Sequence, residues 1–259
     1  MHLTTRGLIL REVKYKDSDK ILTILTEDEG KLTAAARGAR RKGSPLGAPT
    51  EILCFSDMTL FGNRGRWTLD EASVTEQFIG LRGDIELLSL AVYFCELLEA
   101  MSDEDCYNGN ILRLGLNSLF ALSHELYSAE LIKAAFELRL MCLSGYEPAL
   151  PACFVCGRED VASPVFNPHS GLLRCAACAG GENGGQGLSQ GCLLAMRHIA
   201  GAESKRIFSF TLPDGEVKKL SAITETYISA QLDREFDSLS YYKSIKHFAK
   251  HFEDPYPQV

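Results

Sequence analysis

The 259-residue chain lacks a long apolar run, a basic surplus and every common nucleotide-hydrolysis or hydrolase motif. Its most apolar stretch, Ile85–Met101, is interrupted by Glu86, Glu96 and Glu99, whereas a membrane span needs about 20 mostly apolar residues. The start, Met1-His2-Leu3-Thr4-Thr5-Arg6, leads into no uninterrupted apolar region, so no secretory segment is expected and the chain reads as cytoplasmic, with no membrane partner. The 27 Lys+Arg against 34 Asp+Glu give a net charge of −7, which on its face weighs against nucleic acid. No G-x-x-x-x-G-K-[ST] occurs; the glycine run from Gly180 to Gly187 has no Lys-Ser/Thr and reads as a flexible loop. G-x-S-x-G and H-E-x-x-H are also absent. The six histidines are scattered, and His247 and His251, four apart in a basic helical tail, have no third ligand close in sequence. These absences leave little room for an enzyme. At 46% hydrophobic and 24% charged residues the chain is too apolar to be disordered, and its length suggests two domains.

What is present divides near residue 80. Residues 1–80 read as β: Arg6–Tyr15, Ile21–Thr26, Lys31–Arg37, Glu51–Phe61 and Trp67–Val74, with turn signals at Glu27-Asp28-Glu29-Gly30 and Gly62-Asn63-Arg64-Gly65. Five strands without a helix suggest a small closed barrel, which removes sheet edges; a sandwich remains open. From residue 81 the period is helical. Asp84 caps a helix through Glu99, Ile111–Leu122 follows, and Ser128 caps a third that Gly145 ends. Ser189 caps a helix through Ile199, and another runs from Leu220 to Leu232. The expected class is α+β multidomain, with domains at 1–80 and 81–259 and a Cys-, Gly- and Pro-rich insertion at 151–187.

Four of the nine cysteines form C-x2-C-x18-C-x2-C: Cys153, Cys156, Cys175 and Cys178. Two intervening residues let both sulfurs of a tight turn reach one ion, and 18 residues suffice for a hairpin with Val165-Phe166 and Leu172-Leu173 as strands. Four thiolates would close a tetrahedral Zn2+ site with no open position, hence a structural ion, one per chain. Arg158 and Arg174 sit beside the thiolates and would offset their charge. Unrelated free thiols are the alternative. A redox dithiol lacks its βαβ setting, and a zinc deaminase lacks an upstream H-x-E. Cys54, Cys95, Cys142 and Cys192 read as small core residues, and Cys106 as a loop residue.

Charge is unevenly placed. Residues 1–80 hold 12 basic and 11 acidic residues, residues 81–259 hold 15 and 23. Lys31–Lys42 carries Lys31, Arg37, Arg40, Arg41 and Lys42 and no acid. Screening near 8 Å at physiological salt lets such a segment attract phosphate despite distant acids. Arg64, Arg66 and Trp67 lie at a hairpin, the pairing of cations with an aromatic that single strands use. A solvated face for the basic run, and a core role for Trp67, are the competing readings.

The runs Thr5-Arg6-Gly7-Leu8-Ile9-Leu10, Asp17-Ser18-Asp19-Lys20-Ile21-Leu22-Thr23, Gly30-Lys31-Leu32-Thr33 and Ala36-Arg37-Gly38-Ala39-Arg40-Arg41 closely resemble the RecO family of bacterial recombination mediators. The likeness continues through Phe136-Glu137-Leu138-Arg139-Leu140 and Leu143-Ser144-Gly145-Tyr146 to the four cysteines, and is weakest over the last 70 residues. The resemblance implies an N-terminal OB-fold barrel and a C-terminal helical domain holding a zinc-ribbon-like insertion. It implies non-catalytic work in DNA repair, with single- and double-stranded DNA, RecR and the acidic C-terminal tail of single-stranded DNA-binding protein as partners, RecA indirectly, and nucleoid association during repair. Arg37, Arg40, Arg41 and Lys42 are then the first candidates for phosphate, joined by Lys31, with Lys14, Lys16, Lys20, Arg64 and Arg66 behind them. Lys133 and Arg139 are candidates to receive the acidic tail, against a plain reading as solvated helix charges. The competing function is a zinc-ribbon interaction or transcription-associated factor that binds nucleic acid incidentally.

Overall fold

The computed structural model describes residues 1–180 and 183–253, with side chains through Phe248; Gly181 and Glu182 of the glycine run and the side chain of His251 lie outside the described residues. The chain forms two compact units, Met1–His124 with the segment from Phe236 onward, and Glu125–Glu235.

The first unit is built on a closed barrel of β1 (His2–Tyr15), β2 (Asp19–Thr26), β3 (Lys31–Ala36), β4 (Phe55–Asn63) and β5 (Arg66–Glu76), in the order β1-β2-β3-β5-β4. This is an OB-like arrangement. The 14-residue β1 serves two neighbours: His2–Leu8 pair with β4, and Gly7–Tyr15 pair with β2 across an irregularity between Ile9 and Arg11. A bulge there bends the strand around the barrel. Closure comes from a parallel contact of Ala34–Ala36 with Trp67–Leu69. The inward positions, among them Ile9, Leu22, Ile24, Leu32, Ala34, Met58, Leu60 and Leu69, form the core. Three consecutive alanines, Ala34–Ala36, form the β3 side of the closing seam.

Two details depart from the sequence reading. Thr23 and Leu25 on the outer side of β2 are buried like Leu22 and Ile24, because helices α1 (Ile85–Met101) and α2 (Gly109–Ser123) pack against the strand. The fourth strand begins at Phe55 rather than Glu51. Ala48–Thr50 form a 3-10 turn containing Pro49, and Leu53 takes a left-handed φ of 68°. Cys54 therefore precedes its strand, although it stays buried in the barrel core. The expected cap of α1 is present: Asp84 Oδ1 accepts from the backbone N–H of Glu86 at 2.7 Å and of Leu87 at 3.2 Å. The basic tail is helix α6 (Asp237–Glu253), which packs on α1, with Phe236 edge-on to Tyr93 at 5.9 Å.

The second unit packs α3 (Ala129–Leu143) on α4 (Gln190–Gly201) and α5 (Asp214–Leu232). Ser128 and Ser189 cap α3 and α4 as expected, accepting from Leu131 N and Cys192 N. Helix α5 starts six residues before Leu220, immediately after Pro213. Between α3 and α4 lies a small sheet, β6 (Pro164–Asn167), β7 (Leu172–Cys175) and β8 (Gln186–Gly187), in the order β7-β6-β8. Its hairpin pairs Val165 with Arg174 and Phe166 with Leu173. Among the described residues no helix is long and apolar enough to cross a membrane.

Candidate nucleic-acid interface and metal centre

A groove of about 980 Å3 runs across the barrel between the β1–β2 turn, β3 and the β4–β5 hairpin. Tyr15, Phe61 and Trp67 line it with Lys16, Arg37 and Arg66, while Asp19 and Asp70 are its acids. Tyr15 is 46% and Phe61 41% exposed, large for aromatic rings on strands. Strand alternation explains both: Phe61 follows the buried Leu60 and so faces outward, and Tyr15 ends β1 beyond the part that enters the core. Neither ring belongs to a motif, yet strand alternation in the sequence marks Phe61 as outward-facing. The Lys16 ammonium lies 5.2 Å from the Tyr15 ring centroid. His2 tilts against Phe61 at 5.1 Å.

Trp67 is half-buried; it packs against the barrel core and still reaches the groove. It pairs across the hairpin with Gly62, where a Cβ would stand 2.8 Å from the indole, so only glycine lets the ring lie flat on the sheet there. The hairpin itself is a two-residue turn, Arg64-Gly65, with φ of 50° and 73° at the two positions. Two positive φ values give the turn whose twist matches the flanking strands. It leaves Arg64 and Arg66 exposed at the groove's end.

The basic loop is anchored rather than free. Arg40 N donates to Ser18 O at 2.9 Å, and Gly38 N to Asp19 Oδ1 at 2.8 Å. Arg40 Nη1 adds a bond to Asp17 O at 3.4 Å. The β1–β2 turn thus holds the loop beside the groove, and Arg37, Arg40, Arg41 and Lys42 are all exposed. Lys14 and Lys16 are exposed too.

Two of the sequence candidates are committed elsewhere. Lys20 is 8% exposed; its Nζ lies 2.5 Å from Glu12 Oε2 and donates to Thr50 O at 3.3 Å. Lys31 Nζ donates at 2.8 Å to Glu99 O, a carbonyl in the last turn of α1, where the helix dipole favours a cation. In the second unit Lys133 and Arg139 are not solvated helix charges. Lys133 is buried, 2.8 Å from Glu137 Oε1 and 3.2 Å from Glu225 Oε2, and Thr224 donates to Glu137 Oε2 at 2.6 Å. Arg139 Nη1 donates to Ala200 O near the end of α4. Helix α3 is buried along most of its length, so its charged side chains find partners inside the unit.

The four motif cysteines do come together: their sulfurs all lie within 4.8 Å of one another, with Cys156 and Cys175 at 4.0 Å. A tetrahedral ion with bonds of about 2.3 Å sets its sulfurs about 3.8 Å apart, so the set fits a metal ion. Both pairs use the same turn. Gly157 N donates to Cys153 O and, in the second pair, Ala179 N to Cys175 O. Gly157 has the φ of 69° that the first turn requires. Backbone N–H groups of Cys156 and Cys175 point at Cys153 and draw its thiol down to about 6, while hydrogen bonding with the Cys175 sulfur pushes Cys178 up to about 12. The other cysteines are dispersed; Cys54, Cys95 and Cys192 are buried, Cys142 is half-buried and Cys106 exposed. Burial pushes the Cys192 thiol up to about 11.

Comparison with known proteins decides the family. Residues 1–78 match the family model described as Recombination protein O N terminal, and residues 82–240 match Recombination protein O C terminal. The chain belongs to the RecO family. The DNA repair protein RecO of Acetivibrio thermocellus is 30% identical over 244 residues, covering 94% of this chain and 97% of that one. The DNA repair protein RecO of Alkaliphilus metalliredigens is 32% identical over 246 residues, covering 95% and 100%. The DNA repair protein RecO of Symbiobacterium thermophilum is 30% identical over 243 residues, covering 93% and 96%. As a RecO-family DNA repair protein, the chain carries its exposed aromatics and cations on the domain matched by the N-terminal family model, and its cysteine cluster on the C-terminal one.

Proposed function

We propose that this chain is a non-catalytic recombination mediator that binds single- and double-stranded DNA through its barrel and anneals complementary strands. The observation that carries the reading is the groove lined by Tyr15, Phe61 and Trp67 beside an anchored loop of four exposed cations. Aromatic faces stack on bases regardless of sequence, and cations displace the counterions of the backbone. In this mechanism Arg37, Arg40, Arg41 and Lys42 neutralise phosphates of two strands and lower their repulsion. Arg64, Arg66, Lys14 and Lys16 continue the track, and the rings keep bases unstacked and open to pairing.

In the cell this activity serves repair on the nucleoid. With RecR, the protein helps load RecA on strands coated by single-stranded DNA-binding protein, whose acidic tail it meets. The second unit carries one structural Zn2+ on Cys153, Cys156, Cys175 and Cys178, a closed site that holds the insertion's fold.

The test is annealing of coated complementary strands by the wild type and by an Arg40→Ala, Arg41→Ala, Lys42→Ala variant. The reading expects fast annealing by the first and slow annealing by the second. Equal rates, or none by the wild type, reject it in favour of an interaction factor.

A further inference from the structure

The two cysteine pairs are supported unequally. Cys175 is the last residue of β7, so the second pair grows directly out of a hydrogen-bonded sheet. The first pair sits in the segment between Leu150 and Pro164, which has no strand or helix. One side chain reaches both flanks of that segment. Arg197, half-buried on α4, donates from Nε to Leu150 O at 2.9 Å, and from Nη2 to Pro151 O at 2.8 Å and Glu159 O at 3.1 Å. Two of these carbonyls precede Cys153 and one follows Cys156. Other ties of the segment each touch a single point, among them Phe154 N to Leu173 O, Cys175 N to Cys153 Sγ, and the Gln190 side chain to Val161 O. The three carbonyls share one guanidinium, which among the described residues has no carboxylate partner drawing it away.

We propose that Arg197 is a positioning residue of the metal centre. Its guanidinium clamps the entry and exit of the first cysteine turn onto α4; because that turn has no sheet behind it, metal loss begins there, at Cys153 and Cys156, and is faster without the clamp. The planar fork suits the role, because it can serve three acceptors at once where a lysine would satisfy fewer in a fixed geometry. Groups hydrogen-bonded to a ligand itself change metal affinity by about 10–100-fold when removed; Arg197 acts one step further out, through carbonyls that flank the turn, so the lower end of that range applies. The inference rests on the metal reading above, and the experiment separates the two.

The purified full-length protein is loaded with Zn2+ or Co2+ and challenged with a chelator in the presence of a thiol-alkylating reagent. Metal release is followed optically, and labelled cysteines are identified by mass spectrometry. Arg197→Gln is expected to release metal about tenfold faster. Arg197→Lys should fall between it and the wild type, and the Co2+ thiolate charge-transfer band of the glutamine variant should shift. In the wild type itself, Cys153 and Cys156 should be labelled before Cys175 and Cys178, an outcome that does not depend on any variant folding. Simultaneous or reversed labelling overturns the proposal, as does release from a folded Arg197→Gln protein within twofold of wild type. A wild-type protein that takes up neither ion overturns the metal reading instead.

Discussion

Eight exposed cations flank the barrel groove or its loop: Lys14, Lys16, Arg37, Arg40, Arg41, Lys42, Arg64 and Arg66. If each neutralises one phosphate of a single strand, log K should fall with log salt with a slope of about −5 to −6, at about 0.7 per phosphate. Between 50 and 200 mM salt the wild type would then lose about a thousandfold in affinity. Replacing Arg40, Arg41 and Lys42 by alanine should reduce the slope by about 2, so that the same salt change costs only about a hundredfold. Lys20 supplies the internal control. It lies in the same region of sequence but is bonded to Glu12 and to Thr50 O. Lys20→Met should leave the slope unchanged while costing about 1–3 kcal/mol of stability, because the buried Thr50 carbonyl loses its donor and the exposed Glu12 carboxylate loses its partner. Fluorescence anisotropy with a labelled oligonucleotide at four or more salt concentrations reads the slopes, and denaturant melts read the stability. A triple variant with the wild-type slope, or a Lys20→Met protein that shares the triple variant's loss, would refute the placement of DNA on this face.

Further outcomes follow from the same contacts. Asp19→Ala removes an acid from the groove, which by Coulomb attraction alone would tighten DNA binding; because Asp19 Oδ1 holds Gly38 N, we expect binding to weaken by about three- to tenfold instead. Trp67→Ala should weaken single-strand binding by about 1–3 kcal/mol with the salt slope preserved, and DNA should quench the fluorescence of this single tryptophan in the wild type. Elemental analysis should give about one zinc per chain, lost in Cys153→Ser, Cys156→Ser. Lys133→Met removes the ammonium that neutralises the buried Glu137 carboxylate and should cost about 3–5 kcal/mol in a denaturant melt, without changing DNA affinity.

The parts of this molecule that were legible in sequence are those fixed by local chemistry. Asp84, Ser128 and Ser189 announce helix starts because a side-chain oxygen must meet orphan N–H groups, and each does so. The cysteine spacing announced its cluster for a similar reason: two residues between thiols permit one tight turn and little else. Five strands with edges to hide favoured a closed barrel, with a sandwich still open. What could not be read was the set of partners arriving from far along the chain. Nothing local distinguishes Lys20 from Lys14; the difference is Thr50, thirty residues away, on a 3-10 turn that the strand pattern of Glu51–Phe61 concealed. Likewise Lys133 looks like any helix charge until Glu225 and Ser221 of α5 are placed beside it.

That distinction changes how the charge of the chain bears on its function. The net of −7 counts every ionised group alike, yet a phosphate meets only cations that are exposed and not already engaged. Within Lys31–Lys42 the sequence offers five positive charges, of which Lys31 is bonded to the end of α1 and four face solvent. The loop that carries those four is tied to the β1–β2 turn by the backbone carbonyls of Asp17 and Ser18 and by the carboxylate of Asp19, so one acidic residue that lowers the overall charge helps build the proposed phosphate site. A carboxylate spent on a backbone N–H fixes the loop's position, and its repulsion of phosphate is offset by the cations it aligns. Net charge is therefore a poor guide here, and substitutions that make the barrel more positive at Asp19 should make it a weaker binder.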